Sequence, residues 1–591
     1  METYYSDEKN VLVLISLLKA HNIKKIIASP GATNIPFVAS IQQDPFFEIY
    51  SSVDERSAAY LACGLAAESG EPVVISCTGA TAARNYLSGL TEAFYRKLPV
   101  LAITSTQTVS KVGHHIAQVT DRSSIQKDVA KLSVTLPIVK DDDDLWDCEV
   151  KVNKAILELK HRGGGPVHIN LQTIYSRNFT IKELPKFRKI SRFIDSDILP
   201  DLPNGRIAIF IGSHHNWTTN QTNAIDKFCE TNDAVVFCDH TSSYKGKYRV
   251  QFALAASQDP SFISEIIPKL LIHIGEITGD YHTLRVWPPE VWRVNEDGEI
   301  RDSYRVLSNV FEMPESTFFD YYSRKKEKKN DTYLQLCKSK LSILHQAIPE
   351  LPFSNIWIAS KIAHFIPENS TIHFGILNSL RSWNFFELPQ TVNSFCNVGG
   401  FGIDGVLSSA IGASFFNREK LYFCVLGDLA FFYDMNVLGN RHVQNNLRLL
   451  VVNNGKGVEF RNYDHYAAQF GEYADNFIAA AGHFGRKSHE LVKHYATDLG
   501  FDYFSASSKQ EFEEVYKQFI SPETYEKPIL FEVFTNNEDE SDALKAIITM
   551  ESNCEAVKSE TNGGASTIGL KKFVKQFVGE DVINMIRKTT K

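Results

Sequence analysis

The chain has only nine cysteines in 591 residues, and no CxxC pair occurs among them. Cys77, Cys238 and Cys424 lie inside apolar runs, where a thiol acts as a small core residue. This usage argues against a disulfide framework and points to a reducing cytoplasm. No run of 18 apolar residues is present, and the opening METYYSDEKNVLVLISLLKA is acidic with only a short amphipathic stretch. Neither a membrane span nor a secretory signal is expected, so the expected localisation is cytoplasmic. Basic charge is also scarce: the formal net charge is -8 and the pI is near 6.2, which gives no electrostatic case for a nucleic-acid partner. The one basic cluster, Arg324 to Lys329, reads as a solvated linker face.

What is present is ordinary globular composition, 43% hydrophobic and 22% charged. At 591 residues the chain exceeds one core and suggests roughly three or four domains. Strand and helix signals alternate in three blocks. The first has strand candidates at Lys25 to Ala28, Ile49 to Val53, Pro72 to Ser76, Val100 to Thr104 and Pro166 to Leu171, with helical stretches at Ser57 to Glu68 and Ala82 to Arg96. After a polar link over Thr180 to Asn204, the second offers Arg206 to Ile211, Ala234 to Cys238, Leu270 to Ile274 and Val291 to Val294. The third offers Thr371 to Phe374, Leu421 to Leu426, Leu447 to Val452 and Pro528 to Val533. The pattern predicts an α/β chain of three doubly wound parallel-sheet domains over 1–180, 200–335 and 350–535, with a helical tail over 536–591.

The stretch GDLAFFYDMNVLGNRHVQNNLRLLVVNNGKG, Gly427 to Gly457, reads as a β-α-β unit with its helix over Tyr433 to Gln444. Asp428, Asn453 and Asn454 then project beyond the carboxyl ends of neighbouring strands, where ligands sit in open parallel sheets. A carboxylate, an amide oxygen and a carbonyl from the glycine turn suit part of an octahedral magnesium shell. Equally, Asp428 could cap the helix and the Asn pair could form a turn. In the first block, Glu55 opens an Ala-rich helix, either as a favourable helix-start charge or as a carboxylate held in an apolar pocket. The segments IASPGATN and ISCTGATA each place a glycine turn, at Gly31 and Gly79, after a strand.

In this order, the SPG turn, the Glu at a strand-to-helix junction, the TG turn, the GPVHIN segment and the GD…NN unit resemble the thiamine diphosphate-dependent 2-oxo acid decarboxylase and carboligase family. The likeness covers roughly residues 10 to 535. It is nearest to the menaquinone-pathway succinyl-enolpyruvyl-hydroxycyclohexene-carboxylate synthase branch, on GDLAFFYDMNVL, GIDGVLSSA and the NSL of Asn378 to Leu380. The family usually has GDG where this chain has Gly427-Asp428-Leu429, a change the branch tolerates. The resemblance implies a pyrimidine-binding, a central and a diphosphate-binding domain. It implies Mg2+ held by Asp428, Asn454 and the Lys456 carbonyl. The implied cofactor contacts are Pro30, Gly31, Thr78 and Gly79 in the first domain. In the third they are Asn378, Ser379, Gly402, Ile403, Asp404, Gly427, Asp428, Leu429, Ala430, Asn454 and Gly457. Ile403 would be the apolar wedge that forces the cofactor rings together, and Glu55 would hydrogen-bond the aminopyrimidine N1′. The same likeness implies a homodimer or homotetramer with the active site between subunits.

Substrate positions are read with less guidance. Arg381 is a candidate carboxylate anchor, and His465 a candidate to face the substrate. The branch carries cations where this chain has Asn397-Val398-Gly399-Gly400 and Gly279-Asp280-Tyr281-His282, which argues against isochorismate as acceptor. His114-His115 lies where pyruvate-decarboxylase-like members carry a proton-handling His pair, and Gln118 follows where similar enzymes place a Gln near the thiazolium; an exposed loop is the plainer account. The expected activity is decarboxylation of a small-molecule 2-oxo acid with transfer of the acyl carbanion to an acceptor. A nonoxidative decarboxylase, an acetolactate-synthase-like enzyme and a non-catalytic scaffold are the alternatives.

Overall fold

Runs of Val, Ile and Leu have no polar face to offer water, so they are stable as strands only when covered on both sides. The computed structural model describes residues 4–122, 124–324, 326–484 and 487–550 and sets these runs in three parallel sheets. The first sheet holds β1 (Lys25–Ala28), β2 (Glu48–Ser51), β3 (Val73–Cys77), β4 (Val100–Thr106), β5 (Leu132–Leu136) and β6 (Val167–Gln172), in the order β2-β1-β3-β4-β6-β5. The middle sheet draws on β7 (Ser191–Ile194), β8 (Ile207–Ile211), β9 (Ala234–Cys238), β10 (Arg249–Gln251), β11 (Leu270–Ile274), β12 (Val291–Asn295) and β13 (Leu307–Glu312). The third holds β14 (Thr371–Phe374), β15 (Asn393–Cys396), β16 (Tyr422–Gly427), β17 (Leu447–Asn453), β18 (Asp502–Ala506) and β19 (Ile529–Phe534), in the order β15-β14-β16-β17-β19-β18. First and third sheets thus repeat one topology.

By compactness the described chain divides into two units. One comprises the residues up to Leu199 together with Val291–Met313; the other comprises Pro200–Glu290 and the residues from Pro314 onward. In the first unit the alternation of side chains sends Ile26, Val74, Leu101 and Ile103 to one face, against Leu14 and Leu18 of the helix Lys9–Ala20. Ile27, Val73, Ile75 and Ala102 go to the other, against Ala58, Ala62 and Ala66 of the helix Glu55–Ser69. Small residues there let the helix Leu87–Tyr95 come close: a Cβ on Gly89 would stand 2.5 Å from the Ala59 Cβ. In the second unit one face of the third sheet packs Leu407, Ile411, Phe431, Leu449 and Val451 together. Its other face carries an aromatic cluster, with Phe512 5.3 Å and Phe519 5.7 Å from the Phe531 ring.

Three expectations are corrected. The helix expected over Tyr433 to Gln444 runs instead over Asp428–Asp434 and tightens into a 3-10 segment at Met435–Gly439. The Asp434 carboxylate turns back to the Ser408 amide and hydroxyl, 2.6 Å each, which pins the helix end where the periodicity suggested its start. The link over Thr180 to Asn204 contains strand β7, paired with β13. The stretch Ala82 to Arg96 is two helices, Thr81–Asn85 and Leu87–Tyr95, separated at the fully buried Tyr86. Among the Arg324 to Lys329 residues that are described, all are exposed. No helix of the described residues is long and apolar enough to cross a membrane.

After β19 the helix Asn537–Ile548 begins with Asn536, whose side-chain oxygen accepts from the Asp539 amide at 2.8 Å. Its Glu540 is buried and accepts from the Asn355 amide at 3.1 Å and the Thr535 hydroxyl at 2.7 Å. Burial pushes this carboxyl up to about 7, against an ordinary 4.5. Between those pH values the folded chain keeps a proton that the unfolded chain has released, so stability falls as pH rises through the window and levels off above it. Glu540→Gln keeps both acceptor positions without the charge. It should raise the urea midpoint at pH 8 by the equivalent of roughly 2 kcal/mol, with the gain shrinking towards nothing at pH 4. Of the helical tail expected over 536–591, the part beyond residue 550 lies outside the described residues.

Candidate active site

In an open parallel sheet the crevice opens where neighbouring strands lead their connections in opposite directions. In the first sheet that point lies between β1 and β3, and in the third between β14 and β16. The sequence-expected cofactor contacts fall there. Pro30 and Gly31 follow β1, and Thr78 and Gly79 follow β3. A Cβ on Gly31 would stand 2.5 Å from the Thr78 Cβ, so only glycine lets the two turns meet. Thr33, which sequence reasoning did not single out, ties them further. Its hydroxyl donates to the Ser105 carbonyl at 2.7 Å and accepts from the Gly79 amide at 3.3 Å. Ala80 ends the second turn at φ 60° and ψ -131°, and Leu377, after β14, stands at φ 64° and ψ -117°. Non-glycine residues held there store backbone strain, each after a strand that flanks its sheet's switch point.

At the third sheet, Asp428 is the first residue after β16 and is 4% exposed. It does not cap its helix: the cap position is Gly427, and Asp428 Oδ2 accepts the Gly455 amide of the next strand's turn at 3.0 Å. The Asn pair is divided in role. Asn453 donates to the buried Glu532 at 2.7 Å and belongs to the sheet, while Asn454, 5% exposed, stands in the turn beside Asp428. Gly455 has φ +74°, the Lys456 ammonium is paired with Asp475 at 2.8 Å, and the Gly457 amide donates to Ala479 at 2.6 Å. Nothing stands within 4 Å of a Cβ built on Gly427, so space remains beside Asp428, with Leu429 and Ala430 following on the helix.

This set consists of one carboxylate, one amide oxygen and backbone carbonyls. Among the described residues no group of three His, Cys, Asp or Glu side chains could hold a metal. A hard divalent ion that brings water and phosphate oxygens fits such a donor set, and a thiolate- or imidazole-seeking metal does not. Asn378 and the buried Ser379 open the helix after β14; Gly402, Ile403 and Asp404 lead from β15 to the helix Val406–Ser414. Ile403 is half-buried and packs on the core beneath it, which suits a fixed apolar wedge.

Glu55 is the first residue of its helix, but the cap is Asp54, whose carboxylate accepts from the Arg56 amide at 2.9 Å and the Ser57 amide at 3.4 Å. Glu55 makes no backbone cap and stands in the first turn as a favourable helix-start charge. Its half-buried carboxylate acts electrostatically on Cys77 and Tyr86. His114, His115 and Gln118 are exposed in the loop after β4, with φ +54° at His115 and +65° at Gln118. His465 is a cap: its Nδ1 accepts from the Ala467 amide at 3.0 Å, which commits one ring nitrogen to the backbone.

Arg381 is 7% exposed, and its Nη1 lies 3.0 and 2.8 Å from the two Glu459 carboxylate oxygens. Its Nε and Nη2 have no hydrogen-bond partner, which leaves the guanidinium edge suited to a second carboxylate. The Tyr281 ring lies 5.0 Å from the same guanidinium. The segment Asp280 to His282 carries no lysine or arginine of its own, but a cation follows it. The 3-10 turn Thr283–Arg285 presents Arg285, whose pKa burial lowers, with Asp464 and Asp280 opposing and Arg381 adding. A cation three positions beyond His282 was the available signal. Asp280 is fully buried and pushed up to about 6, first by burial and then by Asp239.

Residues 11–125 match the family described as thiamine pyrophosphate enzyme, N-terminal TPP binding domain. A 2-succinyl-5-enolpyruvyl-6-hydroxy-3-cyclohexene-1-carboxylate synthase of Bacteroides fragilis is 31% identical over 558 residues, 92% of this chain and 98% of that protein. The enzymes of the same name from Phocaeicola vulgatus (32%) and Bacteroides thetaiotaomicron (30%) cover the same shares. The chain belongs to the thiamine diphosphate-dependent 2-oxo acid decarboxylase and carboligase family, in this synthase branch. The family and branch implied by the motif order are thereby borne out, and the scaffold alternative gives way to an enzyme. This thiamine diphosphate enzyme keeps Glu55, Asp428 and Asn454, yet surrounds its Arg381 with Glu459, Tyr281 and Arg285.

Proposed function

We propose that this enzyme decarboxylates a 2-oxo acid and joins the acyl fragment to a second carbonyl or acceptor, with Mg2+ anchoring the cofactor diphosphate. The observation that carries this reading is the Asp428 clasp on the Gly455 turn at the switch point of the third sheet. Asp428, the Asn454 amide oxygen and the Lys456 carbonyl would hold the metal, and Ile403 would support the bent cofactor. Bound thiamine diphosphate supplies an electron sink for the carbanion left when carbon dioxide departs. Glu55 would hold a proton at the aminopyrimidine N1′, and the Thr78-Gly79 and Pro30-Gly31 turns would position that ring. We read each sheet as the core of a domain, over 1–180, over 200–335 with strand β7 ahead of it, and over 350–535.

We further propose that the site forms between two subunits, in a homodimer or a dimer of dimers. The helix that starts at Glu55 exposes Tyr60 (48%) and Leu61 (55%) along an apolar groove, and Tyr473 (91%) and Phe477 (95%) stand out after the metal turn. Exposed aromatic patches of this kind mark association surfaces. The eight described cysteines are free, seven of them buried, which suits a reducing cytoplasm.

The relatives' name describes a product with a succinyl group, which corresponds to a five-carbon 2-oxo diacid that has lost carbon dioxide. The open Nε/Nη2 edge of Arg381, with Arg285 beside it, supports a donor with a distal carboxylate here too. The test is carbon dioxide release with thiamine diphosphate and Mg2+ across 2-oxoglutarate, pyruvate, 2-oxobutyrate and phosphonopyruvate. Release from 2-oxoglutarate that rises when an aldehyde or ketone is added supports the carboligase. Free aldehyde from a monocarboxylate would replace it with the decarboxylase reading.

A further inference from the structure

We propose that Glu532 is a positioning residue for the metal turn, acting through Asn453 to hold Asn454 in its place beside Asp428. The inference rests on the Mg2+ assignment proposed above and extends it to a side chain on a neighbouring strand.

Strand β19 reads ILFEVF, an apolar run broken once, at Glu532. The residue is 1% exposed, so the break does not serve solvent. It lies between two strands, with Val451 of β17 and Ser505 of β18 opposite it in the register. A carboxylate taken out of water is unfavourable unless its oxygens are hydrogen-bonded and a cation stands near. Both oxygens are bonded: Oε1 accepts from Asn453 Nδ2 and Oε2 from the Tyr503 hydroxyl, each at 2.7 Å. No cation among the described residues acts on it. Burial raises its pKa above the ordinary carboxylate value, the two hydrogen bonds oppose the rise, and the charged group that bears on it, Glu490, is another acid. An aliphatic side chain would suit a buried parallel strand better, and local conflicts of this kind collect at functional sites.

What Glu532 holds is the entrance to the metal turn. Asn453 is the last residue of β17, and its carbonyl accepts the Thr535 amide at 3.1 Å. Its backbone and its side chain are therefore both tied to the segment that carries Glu532. Asn454 comes next, and then Gly455, at φ +74°, whose amide donates to Asp428 at 3.0 Å. The turn is thus pinned at its start by Glu532 and at its middle by Asp428. Asn453 and Asn454 share one planar peptide, so a rotation at Asn453 carries the Asn454 amide oxygen with it. Loss of the Glu532 acceptor leaves a buried Asn453 donor unsatisfied and frees that rotation.

The test reads thiamine diphosphate binding to the full chain by isothermal titration across a range of Mg2+ concentrations, in variants checked for native circular dichroism. Glu532→Leu fills the space without an acceptor and should raise the Mg2+ half-saturation by about 10-fold or more. Glu532→Gln keeps an acceptor for Asn453 and should stay within about 3-fold of wild type. Asn453→Ala removes the donor from the other end and should match Glu532→Leu; it carries the comparison if Glu532→Leu does not fold. The double variant should be no worse than either single one, since both break the same link. A packing role would lower the thermal midpoint of the cofactor-free chain and leave the Mg2+ half-saturation where it was. That result overturns the inference, as do additive losses in the double variant, and both leave the metal assignment standing. Wild-type binding that ignores Mg2+ overturns the metal assignment and this inference with it.

Discussion

Glu55→Gln should lower carbon dioxide release by about 10²- to 10⁴-fold while leaving thiamine diphosphate affinity and the thermal midpoint within a few-fold and about 2 °C of wild type. The separation follows from how the helix start is built. Asp54 holds the Arg56 and Ser57 amides, so the helix does not depend on the neighbouring carboxylate. Gln has nearly the shape of Glu and can still donate or accept a hydrogen bond, but it cannot exchange a proton with a ring nitrogen near neutral pH. Isothermal titration with cofactor and a stopped assay on the same preparation would check both halves. Equal loss of binding and turnover would reduce Glu55 to a packing residue, and full activity would remove it from the site.

Asp428→Ala should weaken Mg2+-dependent thiamine diphosphate binding by about 100-fold or more, with turnover failing in proportion at limiting cofactor. The residue is 4% exposed at the end of β16, so its removal deletes the one carboxylate among the proposed oxygen donors. It also releases the Gly455 amide and loosens the turn that carries Asn454. Asp428→Asn separates the two effects, since an amide oxygen can still accept from Gly455 but lacks the charge that attracts a divalent ion. Titration with and without Mg2+ reads the difference: Asn should lose mainly the metal dependence, and Ala both. Unchanged metal dependence in either variant would move the cation elsewhere.

Much of the frame was legible along the chain because parallel strands buried on both faces need near-continuous apolar runs. Ala234–Cys238, Leu270–Ile274 and Thr371–Phe374 coincide with the runs read from sequence. The failures have local causes. β7 is short and only half-buried, so it carries no apolar run. The helix after Gly427 starts five residues ahead of its helical-looking stretch and ends at Asp434, which is captured by Ser408, a residue distant in sequence. The motif residues were legible as a set, and their order identified the family. The sequence left open which Asn of the pair belongs to the sheet and whether Glu55 caps its helix. Those answers depend on Glu532 and Asp54, whose side chains reach them only in the folded chain.

Residue type and spacing by themselves determined the alternating α/β pattern, the three blocks and the chemistry available at Glu55, Asp428 and Asn454. Only the tertiary structure decided which groups stay available. It joined Arg381 to Glu459 across the chain while leaving Nε and Nη2 open, brought Arg285 near them, and buried Glu532 with no cation acting on it among the described residues. The physical reason is range: strand and helix signals are written in neighbours, whereas the burial and pairing of a charge depend on side chains tens to hundreds of residues away.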